Sequence, residues 1–130
     1  MMRLLTLADI LLLHEKLLRE TGGNPGIRDI GLIESAVSRP LATFDGQDLY
    51  ATLEAKIAAL IYSLICNHGF VDRNKRVGIG AMLLLLRING CRLAYTQQEL
   101  VTLGVSLADG TADENDIVDW IEAHKQIGHQ

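Results

Sequence analysis

The sequence predicts an all-α protein, a compact bundle of about six helices that forms a single domain over residues 1–130. Apolar residues recur at three- and four-residue steps along most of the chain, which is the period of a helix face. Runs of glycine, asparagine and proline separate these stretches. No stretch alternates apolar and polar residues convincingly, apart from a few residues around 92–95. Because 48% of the residues are hydrophobic, we expect one modest, mainly aliphatic core.

The first two helices are predicted from their capping residues. Thr6 is placed to cap a helix over residues 6–20, with an acidic residue three positions further on. A run of helix-breaking residues at 21–26 ends this helix. Asp29 can cap a short second helix, and Pro40 ends it because proline restricts the residue that precedes it.

The third helix is predicted to follow a mobile segment, and the fourth follows the third. Residues 39–48 carry turn residues without a helical period, and we expect them to form a mobile flap over a site. From Leu49 to Ile65 runs a long apolar stripe, typical of a helix at the buried centre of a fold. A fourth helix is predicted from Asn74 to Asn89–Gly90, where glycine provides a left-handed cap.

The remaining elements are two capped helices near the C-terminus. Thr96 and Glu99 have the spacing of a capping box, and Asp113 precedes a last apolar stripe that contains Trp120. Gly78 and Gly80, inside the fourth helix, predict that a neighbouring helix packs closely against it.

Charge and composition exclude several classes of protein. A formal net charge of -4 argues against a protein that neutralises a duplex backbone, so no direct nucleic-acid binding is expected. The N-terminal stretch lacks a signal-peptide cleavage site, and the apolar run at 79–86 is too short to span a bilayer. Cys66 and Cys91 form no metal-binding or redox pair and are expected to be buried, reduced thiols. We therefore expect a cytoplasmic protein without membrane contact.

One segment, residues 68–76, differs from everything around it. It places five ionisable residues in nine positions between two apolar helices: His68, Asp72, Arg73, Lys75 and Arg76. The unpaired N–H groups and the dipole at the start of a helix attract anions, and the two adjacent cations strengthen that attraction. The segment therefore predicts a phosphate-binding site.

Three residues of the segment have chemistry that suits phosphate transfer. His68 is the predicted general base, since an ordinary imidazole pKa of about 6.5 allows it to take a proton from a hydroxyl near neutral pH. Asp72 is the predicted magnesium ligand, because one carboxylate with waters and nucleotide phosphates can hold this ion. Phe70 is expected to point inward and anchor the loop.

The pattern H-x-F-x-D-x-N-K-R in this segment resembles the signature of the Fic/Doc family, and its lysine form resembles that of the death-on-curing (Doc) toxins. Residues 22–36 also resemble the N-terminal block of Doc proteins. The resemblance implies a helical Fic-type fold, ATP and Mg²⁺ as cofactors, a target-protein hydroxyl as acceptor and an antitoxin as partner. In Doc toxins the target is elongation factor Tu and the transferred group is phosphate.

Carried over by position, the resemblance makes His68 the base, Asp72 the metal ligand and Phe70 a structural residue. It makes Asn74 a loop or phosphate contact, and it makes Lys75 and Arg76 phosphate-binding cations. Arg73 departs from the family pattern, which has glycine or alanine at this place. We assign Arg73 to nucleotide binding, with crowding of the loop or exposure to solvent as alternatives.

The leading prediction is therefore a toxin-like kinase that transfers the γ-phosphate of ATP to a serine or threonine of a translation factor. The alternatives are an AMP transferase and a non-catalytic module that binds phosphate or an antitoxin. Lys75 favours the kinase, because nucleotidyl-transferring relatives have glycine there and a lysine side chain obstructs the same approach of the nucleotide. The chain lacks the self-inhibitory motif of some Fic-type enzymes, so we expect inhibition by a separate antitoxin. His14, His124 and His129 are expected to be ordinary structural residues.

Overall fold

A computed structural model describes residues 2–126. Within this part of the chain there are six α-helices, as predicted, and the all-α class is confirmed. The helices are α1 (Leu7–Thr21), α2 (Ile30–Ser38), α3 (Leu53–Asn67), α4 (Asn74–Ile88), α5 (Gln97–Ala108) and α6 (Glu114–His124). None of them has both the length and the apolar composition that crossing a bilayer requires.

Most helices begin where their capping residues predict. Complete capping boxes start three of them, formed by Thr6 with Asp9, Thr96 with Glu99 and Asp113 with Asp116. Asp29 accepts a hydrogen bond from the backbone of Gly31 and starts α2. Side-chain oxygens near these starts satisfy N–H groups that have no partner inside the helix.

The third helix starts later than predicted. Thr52 accepts the N–H of Ala55 and fixes the start of α3 at Leu53. Leu49, placed by the sequence pattern on the buried stripe, instead lies outside the helix with 58% of its surface exposed. The capping oxygen decided the boundary here, and apolar spacing alone could not locate it.

The segment between α2 and α3 contains the main departure from an all-helical chain. A short 3₁₀ helix (Arg39–Leu41) leads into strands β1 (Thr43–Phe44) and β2 (Gln47–Asp48), which pair antiparallel. The expectation of no convincing strand is wrong here. Asp45 and Gly46 both have positive φ (55° and 81°), the geometry of the tight hairpin turn that an Asp-Gly pair favours. The Asp-Gly pair is thus a hairpin signal that the sequence contains.

Residues 92–95, the exception predicted from the sequence, form no strand in the described chain. Leu93 forms only an isolated bridge with Lys125.

Helix α3 is the buried centre of the fold. Nine of its fifteen residues are buried, and it contacts α2, α4, α5 and α6. A Cβ added at Gly78 would lie 2.5 Å from Cγ1 of Ile65, so the predicted glycine-dependent contact exists between α3 and α4. At Gly80 an added Cβ would lie 3.6 Å from Leu13, which is an ordinary contact rather than a close one.

The cysteines differ from their predicted environment. Cys66 is exposed on the last turn of α3, and Cys91 is half-buried. Both are free thiols. The prediction of burial failed because an apolar neighbourhood in sequence does not specify which face of a helix a side chain occupies.

Candidate functional site

The predicted functional segment forms a tight loop between α3 and α4. His68 closes α3 in the left-handed conformation (φ 52°), and Arg73 opens α4 in the same conformation (φ 72°). Few residues other than glycine adopt this conformation, because Cβ then approaches the following carbonyl oxygen. Two such residues reverse the chain direction within a short distance, and the surrounding contacts must hold them there.

The inner side of the loop is fixed by an aromatic pair. Phe70 is only 2% exposed and lies inside the core, as its predicted role requires. The ring of His14 stacks on it, with ring centres 3.8 Å apart and planes 13° apart. Nε2 of His14 donates a hydrogen bond to the carbonyl of Asp72 at 3.0 Å. His14 thus has a structural role, as expected, but the structure it supports is the loop itself.

Asn74 closes the loop on itself. Its Oδ1 accepts the N–H of Phe70 at 3.0 Å, and its Nδ2 donates to the Phe70 carbonyl at 2.9 Å. Of the two roles predicted for Asn74, these bonds support the loop contact. We therefore do not count Asn74 among the phosphate ligands.

Arg73 does not face the expected phosphate position. Its guanidinium donates to the carbonyls of Thr21 and Gly22, at distances of 3.0 to 3.2 Å, and so satisfies the C-terminal end of α1. These contacts do not support the assignment of Arg73 to nucleotide binding, and neither of the two alternatives describes them. The carbonyls of Thr21 and Gly22 come close to Arg73 only because α1 packs beside the loop in the folded chain, and the sequence does not reveal that packing.

Sequence reasoning missed Arg28, which holds the backbone of His68. The Nε of Arg28 donates to the His68 carbonyl at 2.6 Å, and its Nη2 donates to the Asn67 carbonyl at 2.8 Å. The backbone N–H of Arg28 also bonds to Gly69, next to an antiparallel bridge between Ile27 and Phe70. The only signal was the position of Arg28 inside the block at 22–36, which resembles Doc proteins.

Asp72 is charged and partly exposed. Its Oδ2 accepts the N–H of Asn24 at 3.2 Å, and its Oδ1 accepts the N–H of Arg73 at 2.9 Å. The hydrogen bond from Asn24 is the main cause that lowers the pKa of this carboxyl group. Each oxygen retains a lone pair, so the carboxylate fits a hard cation such as Mg²⁺. The described residues contain no group of three or more acidic, His or Cys side chains that could hold a metal ion, so an ion here would need waters and phosphates to complete its shell.

The start of α4 is unlike the starts of the other α-helices that the structure describes. It has no side-chain cap and no acidic residue in its first turn, whereas each of the others has a side-chain cap. Lys75 and Arg76 are exposed in this turn. Within residues 2–126 neither forms an ion pair or a side-chain hydrogen bond.

The catalytic candidate lies on the loop that leads into this helix start. The side chain of His68 is exposed, and its ring nitrogens form no hydrogen bond with the described residues. His124 is instead tied to Glu99 and Trp120, which agrees with its expected structural role. His129 lies outside the described residues.

Comparisons with known proteins point to one family. The model of the Fic/DOC family matches residues 4–86, a range that includes the whole loop. The Toxin Doc of Mycolicibacterium smegmatis is 49% identical over 73 residues, which make up 56% of this chain and 56% of that protein. The match thus spans about half the length of that relative. The Protein kinase doc of Escherichia phage P1 is 29% identical over 120 residues, 92% of this chain and 94% of that protein. The match to the family model covers more than half of the sequence, and the chain belongs to the Fic/DOC family.

Proposed function

We propose that this chain is a Doc-type toxin that acts as a protein kinase, transferring the γ-phosphate of ATP to a serine or threonine hydroxyl of a translation factor. One observation carries the proposal. Among the described residues, the start of α4 has no side-chain cap, its two cations have no partner, and the loop that leads into it carries an exposed histidine whose ring is also unpartnered. The names of the two relatives, a toxin and a protein kinase, agree with it.

The start of α4 supplies the phosphate site. Its first N–H groups point out of the helix, and no side-chain oxygen of the described residues competes for them. Lys75 and Arg76 add full positive charges in the same turn. Together they bind the phosphates of ATP and stabilise the charge that develops during transfer.

His68 supplies the base. It accepts the proton of the target hydroxyl, whose oxygen then forms a bond to the γ-phosphorus of ATP. The bond from that phosphorus to the oxygen bridging the β- and γ-phosphates breaks, and ADP leaves. Arg28 and Asn74 keep the loop in the conformation from which His68 faces outward.

Asp72 is the proposed Mg²⁺ ligand. A carboxylate is charged at neutral pH, the hydrogen bond from Asn24 lowers the pKa of this one further, and its two backbone hydrogen bonds fix its orientation. When bound there, the ion would neutralise part of the phosphate charge. The limited number of protein ligands is typical of magnesium sites that nucleotide phosphates complete.

The experiment that tests the reaction uses ATP labelled at either the α- or the γ-phosphate. Purified chain is incubated with elongation factor Tu, the target that the family resemblance implies, and with other translation factors. We expect label on the target from the γ position alone and none with His68→Ala. Label from the α position would replace the kinase by an AMP transferase. If neither label is transferred to any translation factor, while ATP still binds, the non-catalytic module is favoured.

An antitoxin partner is proposed to bind along a groove between α1 and α4. The groove has a volume of about 790 Å³, and its floor is aliphatic, with Leu13, Leu83 and Leu84 among its lining residues. Three basic side chains border it against one acidic residue, Asp9, which is already engaged in the capping box. The basic residues are Arg3, Lys16 and Arg87. An amphipathic helix with an acidic edge complements such a groove in shape and charge.

A further inference from the structure

We infer that Gly104, in the middle of α5, positions the side chain of Lys75 and thereby determines the strength of nucleotide binding. This inference rests on the proposed function, since it assigns Lys75 to the phosphates of ATP. Gly104 belongs to neither the loop nor α4, and the family match at residues 4–86 does not include it.

A glycine at this position is not explained by the backbone. Gly104 lies inside α5 with helical geometry, and its φ is not among the positive values in the chain. Alanine is the better residue in a helix interior, because glycine loses more backbone freedom on folding. The absence of a side chain must therefore serve a contact.

That contact is with the aliphatic stem of Lys75. A Cβ built at Gly104 would lie 3.2 Å from Cγ and 3.3 Å from Cδ of Lys75. It would also lie 3.4 Å from Cγ1 of Ile79, which is one turn further along α4. Gly104 is buried although Lys75 itself is exposed. The lysine stem therefore lies across the bare backbone of α5.

The contact with Gly104 limits the positions that the ammonium group of Lys75 can occupy. Side chains on a helix lean toward its N-terminus, and Lys75 is in the first turn of α4. A stem held against α5 on one side has fewer positions to explore, so less side-chain entropy is lost when the ammonium binds phosphate. A methyl group at position 104 pushes the exposed stem outward, which costs little stability but moves the charge.

The test is Gly104→Ala, measured by titration with ATP and Mg²⁺ and by thermal unfolding. We expect the affinity for ATP to fall roughly three- to tenfold while Tm rises by about 2 to 5 °C. Opposite changes in affinity and stability distinguish positioning from a general structural role, because a damaged fold lowers both. Thr102→Ala, an exposed position on the same helix, is the matched control and should leave ATP affinity unchanged.

The double variant separates this inference from the proposed function. In a Lys75→Ala background the stem is absent, so Gly104→Ala should no longer change ATP affinity. If Lys75→Ala weakens ATP binding but Gly104→Ala in the unaltered chain does not, only the inference about Gly104 fails. If Lys75→Ala has no effect on ATP affinity, the phosphate role of Lys75 fails and the inference fails with it.

Discussion

Arg73 departs from the family pattern, and its guanidinium bonds to the end of α1. The left-handed conformation at this position explains why glycine suits it, since glycine adopts positive φ without strain. In this chain the strain is offset by hydrogen bonds from the guanidinium to the end of α1. Arg73 thus links two elements that are far apart in sequence.

We expect Arg73→Gly to leave the affinity for ATP within about twofold of the unaltered chain, because the guanidinium is bound to Thr21 and Gly22. Arg76→Ala should weaken ATP binding roughly fivefold or more, since it removes from the start of α4 a cation that has no partner among residues 2–126. Calorimetric titration with ATP and Mg²⁺ measures both. An equal loss of affinity in the two variants would show that Arg73 turns toward the phosphates.

Arg28 is the residue whose loss should affect the chemical step most selectively. Arg28→Ala removes the donors to the carbonyls of Asn67 and His68, so we expect kcat to fall about tenfold to a hundredfold with KM for ATP little changed. The cost in stability should be only about 1 kcal/mol, because Arg28 is exposed to solvent.

Steady-state kinetics and urea unfolding test this expectation together. Arg19→Ala is the matched control, since Arg19 is also exposed and forms only a surface pair with Glu15. Arg28→Lys keeps the charge but loses the planar fork, and it should recover little of kcat. A large rise in KM for ATP with kcat intact would contradict the role of Arg28 in placing His68.

At the scale of elements, α5 and α6 are joined by a histidine that is charged by its surroundings. Nε2 of His124 donates to Glu99 at 2.8 Å and Nδ1 donates to the Trp120 carbonyl at 2.7 Å. Both partners are acceptors, so both ring nitrogens must carry hydrogen. The bond with Glu99, followed by that with Trp120, raises the pKa of His124 above its usual value.

This arrangement predicts how stability depends on pH. A raised pKa in the folded state means that the stabilisation is fully present below the unfolded value near 6.5 and is lost as the pH rises through the folded pKa. We expect the urea midpoint to decrease between pH 6 and pH 9, and this decrease should be much smaller in His124→Gln. Unfolding followed by circular dichroism at several pH values measures it. An identical pH dependence in both proteins would exclude His124 as its source.

At the scale of the whole molecule, the groove between α1 and α4 is open along residues 9–16 of α1 and residues 80–88 of α4. The two helices run antiparallel, since Arg3 bonds to Asn89 at one end and Arg73 bonds to Gly22 at the other. The groove therefore extends from the end of α4 toward the helix start that we propose for phosphate binding. A helix bound in it would lie one or two turns from Arg76, close enough to affect the loop.

We expect Arg87→Glu to weaken binding of the antitoxin at least tenfold, because it replaces attraction to an acidic helix by repulsion. Growth arrest by this variant should then persist when the antitoxin is co-expressed. Its ATP affinity should stay unchanged, since Arg87 lies in the last turn of α4. Arg92→Glu, which changes the charge equally but does not line the groove, is the control. Full neutralisation of Arg87→Glu by the antitoxin would place the antitoxin elsewhere.

The sequence by itself determined the six helices, the N-terminal caps of four of them and the position of the functional loop. These features depend on interactions within a few residues, such as the reach from Thr96 to Glu99 or the positive φ that Gly90 provides. Such interactions have the same form in any fold, so residue spacing predicts them. The hairpin at 43–48 had a local signal of the same kind in Asp45–Gly46.

Only the tertiary structure decided what the polar side chains of the site contact. Arg73 reaches Thr21 and Gly22, Arg28 reaches His68, and Lys75 lies across Gly104, in each case over a separation of tens of residues. The loop sequence carries no information about which distant carbonyl or bare backbone will be close. That depends on the packing of α1 and α5 against α4, because the buried apolar faces set the position of each helix and the polar side chains then bond to whatever lies within reach.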